Sequence, residues 1–438
     1  MAAYSKYLLF IIVSCILTLA MQIIYHYTPQ GDAECYIQLA RQYIKFDLFE
    51  PSLANSQEGG HPVYVIFLAL FGSIVSYNYY IIGFLQTVLF CFSAFLQIRE
   101  LGRYLNKSLT GLYIILLLAP EISLFNGYIL TESIQYSLLL LIFAVALGTY
   151  MRGATQNKLL LLSFLLGTSI LIRSESVACI FVVLFLLYPK IKEKLVSHTL
   201  LLVSIPVLFL ALNGIKNYKT FHIFRVTAFN AGEALYGGNN ENLDGSPHVF
   251  EMHKNIFIPK DKMEAYNNIL ALPAVYSIPK RDSFYHELAI EAWKTDPVQQ
   301  IGVIPEKLAK NWLLPGMFDI YTNDTTKTRG LQLSKLLSIK YFNNVWYAPY
   351  KHLLYMVIHW ALLLLVVWGI LRLKKQNRFQ LAVFILLLFY LLYTIPFCGL
   401  PRFHVALFPL LIIAFTPLPV ILKINKILSR IQARSIKP

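Results

Sequence analysis

Long apolar runs alternate with short polar segments along most of this chain, and that alternation limits its folds more than any other feature. The runs fall at roughly 7–27, 79–98, 108–125, 129–150, 158–172, 177–188, 198–215, 351–371, 380–397 and 403–422. Most approach the roughly 20 residues a helix needs to cross a bilayer. Backbone amides in hydrocarbon must be satisfied within their own segment, so such runs fold as helices. Of the 438 residues, 14% are charged, against about 25% in soluble domains. The expectation is an all-α polytopic membrane protein with about ten transmembrane helices.

The net charge of +15 raises the question of nucleic acid, and its placement answers it. Basic residues gather at Arg99, Arg103 and Lys107, at Arg152 and Lys158, at Lys190, Lys192 and Lys194, at Arg372, Lys374, Lys375 and Arg378, and in the tail 423–437. Alternate short segments hold almost none. That is the positive-inside pattern, and it puts both termini in the cytoplasm of a plasma or inner membrane. A nucleic-acid surface would not be split among alternating membrane loops, so nucleic acid is excluded as a partner. The run 7–25 lacks a small-residue cleavage site and reads as a retained helix. Of five cysteines, Cys15, Cys91 and Cys179 fall in apolar runs as small core residues, and no CxxC or Cys/His cluster occurs.

Between the first two spans lies the stretch 28–78, with Asp32, Glu34 and Asp47 followed by Gly59-Gly-His-Pro62. Asp32, Tyr36, Ala40 and Tyr43 recur at helical spacing, which predicts a short helix with those residues on one face. Asp32 reads equally as a helix cap or as a base at the membrane surface. The apolar run 62–75 is too short to span comfortably, and counting it as a crossing would put Arg99 to Lys107 outside. An outer-face juxtamembrane helix satisfies both length and charge. Three regions follow: a transmembrane module 1–215, a polar extracytoplasmic domain 216–350 of mixed structure, and C-terminal spans with a basic tail, 351–438.

Ionisable residues in or beside spans are costly and therefore mark candidate sites. The topology brings Asp32, Glu34, His61, Glu121, Glu132, Arg173, Glu175, Arg402 and His404 to the outer face. The guanidinium of Arg173 suits a phosphate at headgroup depth, and equally a local pair with Glu175. Arg402 has the same two readings. Glu132 reads as an acid at a helix start, His61 as a structural or interfacial histidine, and Glu121 as a first-turn or loop acid. Walker, GxGxxG, GxSxG and HExxH motifs are missing, which disfavours an ATP-driven pump and the familiar hydrolases.

Four segments together resemble the GT-C glycosyltransferases, nearest to the group holding the protein O-mannosyltransferases and the lipid A aminoarabinose transferases. Gly31-Asp-Ala-Glu-Cys-Tyr-Ile-Gln-Leu-Ala40 is similar to that family's acidic first loop. His61-Pro-Val-Tyr-Val-Ile-Phe-Leu-Ala-Leu-Phe-Gly72 resembles its proline-led juxtamembrane helix. Leu130-Thr-Glu-Ser133 and Leu171-Ile-Arg-Ser174 resemble its later acid and base, and Pro401-Arg-Phe-His-Val-Ala-Leu-Phe-Pro409 its C-terminal signature. Many relatives carry adjacent acids where Ala33 separates Asp32 from Glu34, and Arg-Pro-Pro or Lys-Pro-Pro where this chain has Gly60-His-Pro.

The resemblance implies a GT-C-like fold and an inverting transfer of sugar from a polyprenyl-phosphate donor to a glycan, lipid or protein acceptor outside the cytoplasm. It implies Asp32 and Glu34 as catalytic residues, with Arg173, Arg402, Glu132, His61, Tyr36 and His404 binding substrate. A divalent cation stays open as a cofactor, because one or two carboxylates without a third ligand do not define its site. A glycan polymerase or ligase using lipid-linked sugars, and a transporter or flippase for a lipid-linked substrate, stand as alternatives. The outer arginines Arg225, Arg281 and Arg329 are available to the first of these.

Overall fold

A computed structural model describes residues 2–24, 29, 32–47, 49–52, 61–239, 258–313, 349–373, 377–397 and 404–435. Among these every regular element is a helix. In chain order the first group is α1 (Ala2–Ile24), α2 (Asp32–Ile44), α3 (Pro62–Phe67, continued by a π-turn Leu68–Gly72), α4 (Tyr79–Leu105), α5 (Gly111–Leu117), α6 (Pro120–Gly127) and α7 (Thr131–Arg152). Next come α8 (Gln156–Ile172), α9 (Ala178–Ile191), α10 (Leu195–Phe221), α11 (Ala231–Gly238), α12 (Met263–Leu270), α13 (Ala274–Thr295), α14 (Pro297–Gly302) and α15 (Ile304–Leu313). The last are α16 (Pro349–Leu371), α17 (Arg378–Thr394), α18 (Phe408–Phe415) and α19 (Leu418–Ser435). The polar segment 216–350, expected to be mixed, is helical over its described part.

Among the described residues, four helical stretches are long and apolar enough to cross a membrane: Tyr79–Leu105, Thr131–Arg152, Ser174–Phe221 and Leu354–Leu371. A fifth arises if Phe408–Phe415 and Leu418–Ser429, bent by 86°, form one span. The 48-residue stretch Ser174–Phe221 would measure about 72 Å as a single rod, more than twice a bilayer core. It is broken at the charged 3-10 turn Lys192–Lys194, and its two parts, α9 and α10, pack on each other. Outward residues such as Leu8, Leu9 and Ile16 on α1, and Leu200, Val207 and Leu212 on α10, are exposed apolar side chains. Such a surface suits lipid and would be a liability in water.

Helix α7 is the hub. It is apolar nearly all round and almost wholly buried, as a helix enclosed on every side must be. It packs against α4, α8, α9 and α18. The chain turns irregularly between α6 and α7, where exposed carbonyls would be costly in an apolar core. Gln22 Nε2 donates to the carbonyls of Gly127 at 2.7 Å and Tyr79 at 2.9 Å, and Gln86 Nε2 donates to those of Asn126 and Tyr128. A β-carbon on Gly127 would press to 2.7 Å from Gln22 Cγ, so this approach needs glycine.

Polar clusters mark the two ends of α7. At its C-terminal end Glu100, 3% exposed, takes Arg152 at 2.7 Å, Arg103 at 2.7 Å and Arg99 at 3.2 Å. Lys190 lies over the Tyr150 ring beside it. At the N-terminal end Glu132 meets Arg173. From residue 132 to residue 152 the helix rises about 30 Å, which is the thickness of a hydrocarbon core.

Candidate functional site

The site is built around the N-terminal end of α7. Helix α8 ends at Ile172, and Arg173 takes an extended conformation (φ −149, ψ 121) before the 3-10 turn Ser174–Val177. That turn brings Glu175 back onto the Arg173 guanidinium, where Nε donates to Oε1. The opposite side of the guanidinium donates from Nη1 to Glu132 Oε1 at 2.9 Å. The three side chains are 11%, 9% and 2% exposed for Arg173, Glu175 and Glu132. One cation thus stands between two carboxylates in a nearly dry setting, a formal balance of −1.

His61 closes the cluster from the N-terminal end of α3. Pro62 opens α3, and the preceding His61 stays outside the helix (φ −112, ψ 53). Its Nδ1–H donates to the Ile172 carbonyl, one of the orphan acceptors at the end of α8. Burial lowers the His61 pKa below its ordinary value of 6.5, and the neighbouring Arg173 charge lowers it further, against the opposing pull of Glu175 and Glu132. The ring is therefore neutral near pH 7, with Nε2 an acceptor.

Helix α2 lies against this group. Its buried stripe is Ala33, Tyr36, Leu39 and Ala40, rotated slightly from the predicted Asp32–Tyr36–Ala40–Tyr43 face. Tyr36 meets Tyr64 edge-on at 4.9 Å and His61 at 6.1 Å between ring centroids. Tyr64 in turn donates to Gln86 Oε1 at 3.0 Å, so the aromatic layer is tied to the core of the bundle. Asp32 sits half-buried about one turn before Tyr36, about 6 Å along the helix axis. Glu34 is exposed. A helical rise of 1.5 Å per residue makes Pro62–Gly72 about 16 Å long, too short to cross on its own.

Several sequence expectations land elsewhere. His404, expected with the substrate-binding residues, is 1% exposed and packs with Glu121, His359, Trp312 and Phe408. The run that follows it is wholly buried, so an imidazole there must find internal partners. Glu121 does stand in the first turn of α6, as read, but it is equally buried and faces both histidines. Among the described residues, metal-ligand spacing is met by Glu121, His359 and His404, apart from Asp32 and Glu34. His359 was missed; the signal was an ionisable side chain inside an apolar 23-residue helix. Arg225 is engaged by Asp282, whose other oxygen accepts from the Gly232 amide at 2.8 Å. Arg402 and Arg329 lie outside the described residues.

His61, Tyr36, Glu132, Glu175 and Arg173 therefore converge, and Asp32 stands about one turn from Tyr36 on α2. Such a group can accept hydrogen bonds from hydroxyls or amines through its carboxylates and His61 Nε2, and can hold one anionic oxygen through Arg173. No protein-family model, curated protein or solved structure matches the chain.

Proposed function

We propose that this chain is an inverting membrane glycosyltransferase, of the GT-C type it resembles, that moves a sugar from a polyprenyl-phosphate donor to an acceptor outside the cytoplasm. The observation that carries this reading is the buried Arg173–Glu132–Glu175 group beneath His61 and α2, assembled from remote segments at one end of the apolar helices. Ion groups are costly at membrane depth and persist where they handle substrate. The amphipathic setting fits a substrate with a lipid tail and a polar head. The short apolar α3 borders the site and offers a surface for the prenyl chain.

In this reading the acceptor hydroxyl gives its proton to the Asp32 carboxylate as its oxygen attacks the anomeric carbon. The bond from that carbon to the phosphate oxygen breaks on the opposite face, and its electron pair leaves with the lipid phosphate. The product is inverted, Asp32 carries the proton, and the phosphate gains one negative charge. Arg173 offsets that charge. Because Glu132 and Glu175 already share Arg173, they assist by accepting from sugar hydroxyls, and their grip on the guanidinium changes as the phosphate charge grows. Arg402 remains the second candidate cation. About ten spans, with the basic Glu100 cluster inside and the Arg173 group outside, is the topology that goes with this proposal.

The test is purified full-length protein in detergent, supplied with a panel of polyprenyl-phosphate sugars, with release of polyprenyl phosphate as the readout. Turnover that needs no ion gradient is expected and separates a transferase from a flippase. Absence of release across the panel, from protein shown to be folded and supplied with extracts of acceptor, overturns the proposal.

A further inference from the structure

A second polar centre lies outside this site. Glu121 is in α6, His359 in α16 and His404 just before α18, and all three are 1% exposed. Each imidazole has one nitrogen committed to a carbonyl of the last turn of α15. His359 Nε2 lies 3.0 Å from the Trp312 carbonyl, and His404 Nδ1 binds the Asn311 carbonyl. Carbonyls only accept, so these two nitrogens carry protons. The remaining nitrogens turn to one carboxylate: His359 Nδ1 is 3.0 Å from Glu121 Oε1, and His404 Nε2 is 3.2 Å from Oε2.

Neutral imidazoles so placed would oppose their lone pairs to those of the carboxylate. Two imidazoliums would instead bury two cations on one anion, which is expensive in an apolar core. The His359 Nδ1 contact, although short, lacks hydrogen-bond alignment. Three donor atoms lie within 4.8 Å of one another. Zinc bonds of 2.0–2.1 Å to nitrogen and oxygen place tetrahedral ligands about 3.3 Å apart, and each imidazole nitrogen lies near that distance from one of the two carboxylate oxygens, 3.0 Å from Oε1 and 3.2 Å from Oε2. Metal-bound histidines characteristically donate their second N–H to a carbonyl, as both do here.

We propose that Glu121, His359 and His404 bind a divalent transition-metal ion, with zinc favoured by the two-imidazole, one-carboxylate donor set. The ion removes the lone-pair conflict and fixes each imidazole as an N–H donor toward α15. Metal binding is thereby coupled to docking of α15, the last described helix before α16, onto the bundle. The site is independent of the transferase reading and stands or falls separately.

Metal content of the full chain, purified in detergent through chelator-treated buffers, tests this. About one zinc per chain is expected, falling to under a tenth of that in Glu121→Gln, His359→Gln and His404→Gln. Because a buried substitution can block folding, the wild-type protein is also grown with cobalt, where the visible bands of four-coordinate Co²⁺ are expected and added zinc abolishes them. Monodisperse wild-type protein with neither stoichiometric metal nor a cobalt spectrum overturns the proposal. A folded variant that keeps its full metal content overturns the ligand assignment.

Discussion

Arg173 Nη1 lies 2.9 Å from Glu132 Oε1, joining the extended turn after α8 to the first turn of α7 across 41 positions of sequence. Glu175 holds the same guanidinium from the other side. The phosphate-binding role expected for Arg173 therefore begins from an occupied state. Any anion must compete with two carboxylates or work alongside them.

Removing only the cation strands two buried acids. Arg173→Met is expected to destabilise the protein by about 3–5 kcal/mol, the usual cost of breaking a buried ion pair from one side. Adding Glu132→Gln and Glu175→Gln to that variant should recover much of the loss, since neutral amides need no counter-ion. Thermal unfolding in detergent across the single and triple variants measures both effects. Equal stability of the two variants would show that the ion group contributes no coupling.

His61 supplies a pH signature. Its folded pKa is depressed below 6.5 by burial and by Arg173, so the unfolded chain binds the proton more readily than the folded one. Stability from the neutral ring is then fully present above about pH 6.5 and declines as pH falls toward the folded pKa. His61→Gln keeps an N–H donor for the Ile172 carbonyl but does not titrate. The melting temperature of the wild type should drop between pH 7 and pH 5 by more than that of the variant. Parallel curves would remove His61 as the titrating group.

Position along the helix axes was legible in the sequence, and azimuth was not. Hydropathy and the basic segments marked which residues sit at the ends of helices, and Arg99, Arg103 and Arg152 do gather about Glu100. The same signals put Glu121, Glu132, Arg173 and His404 on one side without saying which helix faces touch. Facing is decided by packing among nearly featureless apolar surfaces, such as that of α7, whose sequence has no polar stripe to orient it. Glu132 thus went to Arg173, while Glu121 went to His404 and to His359. The first loop was clearer, because α2 is amphipathic and its stripe could be placed to within one residue.

Close helix packing gives a prediction at Gly369. A β-carbon built there would overlap the backbone carbonyl of Phe415, which cannot rotate away as a side chain can. Gly369→Ala must therefore push α16 from α18, at a cost of about 1–3 kcal/mol for overpacking. Gly302→Ala is the control, since its added carbon meets nothing within 4 Å. Differential scanning fluorimetry in detergent should show a lower melting temperature for the first and little change for the second.

The last prediction separates the two acids of the first loop. Both open α2, where the helix dipole favours negative charge, so either loss weakens the helix start by about 0.3–1 kcal/mol. Their surroundings differ: Asp32 flanks the buried Tyr36 stripe, and Glu34 is exposed. If Asp32 is the base, Asp32→Asn should cut sugar transfer by about 10²–10⁴-fold with donor binding retained. Glu34→Gln should stay within a few-fold of the wild type, against the expectation that both acids are catalytic. Transfer rates in detergent, normalised to folded protein, decide between them. A wild-type rate in Asp32→Asn removes Asp32 as the base, and a loss confined to Glu34→Gln moves that role one residue beyond Ala33, to the exposed side of the helix.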